Sequence, residues 1–137
     1  MGYDSFRLAL KHSTNADSKD NIRKWLLNPG PSVVIIDEGH KIKSNKSHIY
    51  NTVKEFHTPF RICMTGYPLQ NNLEEYYCMI DFIYPGYLGT LSEFRNSYKN
   101  PIEHFYEDTS PAERHISKRQ LYKLRRIIAD LIHRCVV

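Results

Sequence analysis

Val33-Val34-Ile35-Ile36-Asp37-Glu38-Gly39-His40 runs four apolar β-formers straight into two carboxylates, a glycine and a histidine. An apolar run of this length with no polar alternation is the pattern of a strand buried on both faces, as in a parallel sheet covered by helices. A buried strand that ends in acids presents them at the carboxyl edge of its sheet. There the backbone turns, and ligands occupy the crevice of open α/β folds. Twenty-five residues after His40 a second polar string begins, Thr65-Gly66-Tyr67-Pro68-Leu69-Gln70-Asn71-Asn72, directly behind the apolar segment Phe60 to Met64. Between the two strings, residues 46–56 set Ile49, Val53 and Phe56 on one helical face, and Thr58-Pro59 closes that helix. Strand, turn, helix, strand at this spacing predicts an α/β unit whose two strands deliver their chemistry at the same end.

Outward from this unit the chain changes character. Upstream, Phe6, Leu8 and Leu10 predict a short helical segment and residues 11–19 a surface loop. Asp20 then caps a helix carrying Ile22, Trp25 and Leu26, which Asn28-Pro29-Gly30-Pro31 stops. Downstream of residue 70 the pattern is helical throughout. Asn72 and Glu75 are spaced as a capping box before Leu73, Tyr76, Ile80 and Ile83, with Pro85-Gly86 as the stop. Thr90 and Glu93 open a second helix with Leu91, Phe94 and Tyr98, which Asn100-Pro101 is expected to end. Ser110-Pro111-Ala112-Glu113 is the clearest start, an N-cap followed by Pro at the first and Glu at the third helical position. Leu121, Leu124, Ile128, Leu131 and Cys135 form its apolar stripe. The expected division is therefore residues 1–68, α/β, and residues 69–137, a helical extension.

Composition bounds the reading. The 137 residues are 41% hydrophobic and 25% charged, enough for one ordinary domain or parts of two. No apolar run approaches the roughly 18 residues of a membrane span, and Met1-Gly2-Tyr3-Asp4 lacks signal-peptide order, so a soluble intracellular protein without a membrane partner is expected. A net charge of +4 admits a polyanionic partner without demanding one. Cys63, Cys78 and Cys135 show no C-x-x-C pairing, and Cys63 and Cys78 lie in apolar patterns, which predicts reduced core thiols.

Asp37 and Glu38 at a strand end invite a metal-nucleotide role. A hard cation such as Mg²⁺ takes one carboxylate, directly or through water, which leaves the neighbouring Glu to orient or deprotonate an attacking water. A zinc site built from Asp37, Glu38 and His40 matches no usual ligand set. An ordinary acidic turn is the plain alternative for Asp-Glu alone; the adjoining Gly39-His40 and the preceding strand favour chemistry.

Asp37-Glu38-Gly39-His40-Lys41-Ile42-Lys43-Ser44, followed by Met64 to Tyr76, resembles motifs II and III of the Swi/Snf-type ATPases of helicase superfamily two. Gly2-Tyr3-Asp4 is similar to motif Ib, and Phe94 to Ile102 resembles the ATRX-like branch. The resemblance implies one partial RecA-like, P-loop NTPase lobe with parallel strands and a helical extension. Its function would be that of an ATP-dependent double-stranded-DNA translocase, a chromatin-remodelling hydrolase of the nucleus with ATP and Mg²⁺ as cofactors. Its partners would be duplex DNA, nucleosomes and a second motor lobe. On it, Asp37 holds Mg²⁺ through water, Glu38 activates the attacking water, and His40 with Thr65, Gly66 and Gln70 links nucleotide state to the DNA side. Gly2, Tyr3, Lys41, Lys43, Asn71 and Asn72 are its DNA-side candidates. Tyr67 stands where family members carry Thr or Ser, which sets its hydroxyl several Å further out.

No G-x-x-x-x-G-K-[ST] phosphate cradle occurs in the chain. The expectation is a fragment of a larger translocase that begins after the cradle, stops within the first lobe, and alone neither holds ATP tightly nor hydrolyses it. Such a piece is also expected to leave an apolar sheet edge unpaired. Two other classes stay open: a non-catalytic remnant that binds DNA or protein, and a DExH RNA helicase. The latter fits the acidic motif but not Pro68-Leu69-Gln70-Asn71-Asn72. Arg114, Lys118, Arg119, Lys123, Arg125 and Arg126 crowd the last helix, where solvation of the face opposite an apolar stripe explains them more simply than DNA contact.

Overall fold

The computed structural model describes residues 1–11, 16–66, 72–103 and 110–134. In chain order the elements are α1 (Tyr3–Lys11), α2 (Ala16–Leu26), β1 (Val33–Ile36), a 3-10 turn (Gly39–Ile42), α3 (His48–Lys54), β2 (Phe60–Cys63) and α4 (Leu73–Ile83). Then follow α5 (Leu91–Phe94), a wide π turn (Arg95–Lys99), α6 (Asn100–Glu103), α7 (Pro111–Ile128) and a 3-10 turn (Ala129–Leu131). They gather into two compact units, Met1–Tyr87 and Leu88–Val137. Packing groups α4, the first helix of the extension read from sequence, with the strands.

In the first unit β1 and β2 are parallel, with Val33 opposite Phe60 and Ile36 opposite Cys63. The ladder runs one step past the strands: the Met64 amide donates to the Ile36 carbonyl at 2.8 Å and the Gly39 amide to the Met64 carbonyl at 2.8 Å. The two polar strings therefore emerge side by side at one edge. Val34 and Ile36 point into the core, where Ile42, Tyr50, Val53, Cys78, Ile80 and Phe82 are also buried. The opposite face differs from the sequence expectation of a strand buried on both sides. Val33, Ile35, Phe60, Ile62 and Met64 are all exposed, Phe60 at 67%, because no described element covers them. An apolar run reports what a strand can bury, and among the described residues nothing is layered on this face.

Polar groups tie the core together. Asp81, only 5% exposed, accepts from the Tyr50 hydroxyl at 2.6 Å, the Lys54 ammonium at 2.7 Å and the Gly86 amide at 3.0 Å. This fastens α3 to α4 and to the turn that ends α4. Arg61 of β2 lies over the Phe82 ring and donates to the carbonyls of Thr58, Phe82 and Phe56. A guanidinium suits this place because its several N–H groups satisfy carbonyls left over at the ends of α3 and α4. Phe6 of α1 stacks on Phe56, with ring centroids 4.9 Å apart.

Two boundaries and one capping partner depart from the sequence reading. A helix begins at Ala16, inside the stretch expected to be a loop. Asn72 caps α4 by accepting from the Glu74 amide at 2.9 Å, a position earlier than the expected box partner Glu75. In the second unit, Asn100-Pro101 does not end its helix: the chain passes through the π turn, where the Asn100 amide reaches back to the Arg95 carbonyl, and continues as α6. A wide turn is one way a helix accommodates a proline that can neither donate nor fit against the preceding turn. The capping boxes at Thr90/Glu93 and Ser110/Glu113 form as read, and Leu124 and Ile128 of α7 are buried as its stripe predicts.

Candidate functional site

The acid pair sits where β1 stops. Asp37 leaves the strand and folds its carboxylate back, Oδ1 accepting from the Glu38 amide at 2.8 Å. Glu38 then adopts a left-handed conformation, φ 54° and ψ 51°, the only non-glycine residue with positive φ among those described. That conformation is costly for a residue with a Cβ, and such outliers cluster where geometry serves function. It reverses the chain into the 3-10 turn and brings the Glu38 carboxylate back onto His40, Oε2 to Nδ1 at 3.1 Å. Glu38 stays half exposed, so the pair is oriented but open to a ligand.

Gly39 makes the turn possible. A Cβ there would lie 2.3 Å from the Cys63 Sγ, and 3.4 Å from both the Met64 carbonyl and the Met79 sulfur. Only a residue without a side chain lets the acidic turn lie against the end of β2. Burial pushes the Cys63 thiol up to about 11, so it packs as a neutral group rather than a nucleophile. This contact has no local sequence signal: Cys63 reads as a core thiol, and its partner is a glycine in another motif.

Tyr3 is the other group that touches the turn. From the first turn of α1 its hydroxyl donates to the Asp37 carbonyl at 2.5 Å, and the Lys41 ammonium stands 5.5 Å from its ring centroid. Burial first, and then the nearby Cys63, Asp37 and Glu38, push this phenol up to about 12, so it is a donor throughout the physiological range. The remaining candidates divide by place. Thr65 and Gly66 follow β2 at the same edge, Thr65 half-buried and Gly66 exposed with open space around it. Gly2, Lys41 and Lys43 are exposed. Asn72 serves as the cap of α4. Gln70, Asn71 and the divergent Tyr67 lie outside the described residues.

The structure thus gathers Tyr3, Asp37, Glu38, His40 and Lys41 around one turn. No group of three or more His, Cys, Asp or Glu among the described residues could hold a metal unaided. The donor set still fits Mg²⁺ arriving with a nucleotide, because that ion takes one or two carboxylates and completes its shell with water and phosphate.

The chain is similar to known proteins over most of its length. The SNF2-related domain family matches residues 12–137. The chain is 39% identical to the transcriptional regulator ATRX homolog of Caenorhabditis elegans over 99% of its own length and 11% of that protein's. It is 35% identical to helicase ARIP4 of Xenopus tropicalis over 98% of its length and 12% of that protein's. It therefore spans about a tenth of the curated relatives it matches. Among solved structures, the Sulfolobus solfataricus SWI2/SNF2 ATPase core in complex with double-stranded DNA superposes with a TM-score of 0.61 at 30% identity, over 74% of this chain and 19% of that one.

Proposed function

This chain belongs to the SNF2-related, Swi/Snf-type helicase-like ATPases, on their ATRX-like branch and with their RecA-like α/β fold, and from that premise we propose that it is the acid-bearing part of an ATP-dependent motor on double-stranded DNA. The observation that carries the proposal is the turn after β1, where a left-handed Glu38 holds its carboxylate against His40 at the open edge of two parallel strands. A carboxylate so oriented and half exposed can accept a proton from a water placed beside it. His40, with its Nδ1 3.1 Å from Oε2, stands against that carboxylate and limits the directions it can take. Asp37, one residue earlier and likewise exposed, can hold a hydrated cation while its Oδ1 keeps the Glu38 amide in place. When bound, Mg²⁺ with ATP would supply the electrophilic phosphorus and the charge neutralisation that these side chains cannot.

On this reading the chain works within a longer polypeptide that also provides a phosphate cradle and a second lobe. Its partners are duplex DNA and nucleosomes, its place is the nucleus, and by itself it hydrolyses no ATP. The test is the turnover of the longer protein with and without Glu38→Gln. Duplex-DNA-stimulated hydrolysis that falls about 10²-fold or more in the variant is expected. Turnover indifferent to Glu38, or stimulated by RNA and not by duplex DNA, refutes the proposal.

A further inference from the structure

The peptide linking Asp37 to Glu38 is held from both sides. Its N–H is taken by the Asp37 carboxylate at 2.8 Å, and its carbonyl by the Tyr3 hydroxyl at 2.5 Å. This peptide decides where the acid pair points, since its plane sets the left-handed φ of Glu38 and hence the approach of Glu38 to His40. The first bond is local and comes with the turn. The second is not: Tyr3 lies 34 residues away in sequence, on α1, an element otherwise anchored by the Phe6–Phe56 stack. Lys41, from the far side of the same turn, closes over the Tyr3 ring. The turn is thus fastened to one helical side chain through both its carbonyl and its cation.

We propose that Tyr3 is the positioning residue of the acid pair, and that α1 acts through it as a lever on the water-activating Glu38. A helix that carries the only side-chain donor seen on this carbonyl among the described residues stretches this bond when it moves away from the turn, and releases the 37–38 peptide when it moves further. A left-handed residue released from such a hold relaxes toward the common right-handed or extended regions. Glu38 would then leave His40, and the acid pair would lose its aim. Whatever α1 rests on in the working protein is thereby coupled to catalysis through a single hydroxyl. The inference rests on the proposed role of Glu38, and it makes Tyr3 a positioning group that touches neither nucleotide nor water.

Tyr3→Phe removes the hydroxyl and keeps the ring beneath Lys41, so it isolates the bond. In the longer protein, kcat is expected to fall about tenfold or more, because misplacing a reacting group by an ångström costs that order or greater. KM for ATP should stay within twofold and the thermal midpoint should hold, a split that a general loss of structure would not produce. An unchanged kcat overturns the proposal. A second arm needs no turnover. Amide exchange in the 137-residue chain should speed up at Glu38 and Gly39 in Tyr3→Phe, while amides of β1 and α4 keep their protection. Unchanged exchange at Glu38, or faster exchange everywhere, also overturns it. A wild-type protein without ATPase activity counts against the proposed function, and the exchange arm still decides the role of Tyr3.

Discussion

Gly39 lies so close to Cys63 that a methyl group on its Cα would stand 2.3 Å from the thiol sulfur. The glycine is required here by contact and not by backbone conformation, since its φ is not among the positive values seen at Gly30, Gly86 and Gly89. Gly39→Ala should therefore cost about 1–3 kcal/mol of stability, the range for overpacking a fitted site. Because the obstacle is one side chain, Gly39→Ala/Cys63→Ala should recover most of that loss. Urea unfolding of the two single variants and the double variant closes the cycle, and strict additivity would show that the sulfur is not the obstacle.

The Asp81 cluster predicts a pH-dependent stability with a definite sign. Desolvation works to raise this carboxyl, but the Gly86 amide, the Lys54 ammonium and the Tyr50 hydroxyl together outweigh it and hold Asp81 below its usual range. A depressed folded value means the stabilisation is complete above the unfolded value, about 3.9 for an aspartate, and is lost as pH falls from there through the lower folded value. Asp81→Asn should cost about 2–3 kcal/mol at pH 7, since it removes the charge facing Lys54 and turns one of the two accepting oxygens into an NH2 donor, so that either the Tyr50 hydroxyl and the Lys54 ammonium or the Gly86 amide loses its acceptor. The gap to wild type should narrow below about pH 4 as wild-type Asp81 takes up its proton. Urea midpoints at pH 7 and pH 3 test this. A gap that widens on acidification contradicts the assigned sign.

The uncovered sheet face carries a solubility prediction. Phe60 and Ile62 are neighbours on that face, beside Val33 and Ile35, and all four are exposed. An apolar patch of this kind on a short parallel sheet favours association of partly and fully folded chains. Phe60→Lys and Ile62→Lys should lower light scattering at a given protein concentration. Since neither side chain is buried, stability should change by no more than about 0.5 kcal/mol. A large loss of stability would mean that this face is covered in solution.

Much of this was legible in the sequence, for reasons that particular residues show. Thr90 with Glu93, and Ser110 with Glu113, announce helix starts because both halves of the interaction lie within one turn. The parallel strands announce themselves through apolar runs that end in polar strings. The α2 start at Ala16 was hidden because the stretch before it has no apolar period, and Pro101 misled because a π turn can absorb a proline. The acid pair was readable, but its supports were not. Cys63 beneath Gly39 and Tyr3 on the Asp37 carbonyl depend on chain segments 24 and 34 residues apart, where periodicity and capping rules are silent. Tyr3, placed on the DNA side by resemblance alone, meets the acidic turn directly.

The left-handed Glu38 yields the sharpest separation of stability from function. A residue with a Cβ at φ 54° carries a conformational cost of about 1 kcal/mol that glycine does not. Glu38→Gly should then leave the fold as stable as wild type or more so, by up to about 1 kcal/mol, even after the greater chain entropy glycine brings to the unfolded state. The same change removes the carboxylate facing His40 and should abolish hydrolysis in the longer protein. Such an opposition is what a strained functional position produces: the fold tolerates an unfavourable residue because the chemistry needs it. Thermal midpoints of this chain and ATP turnover of the longer protein, measured on the same variant, check both halves. A Glu38→Gly variant that is clearly less stable than wild type would mean that the carboxylate holds the turn together, and that its contact with His40 is structural before it is catalytic.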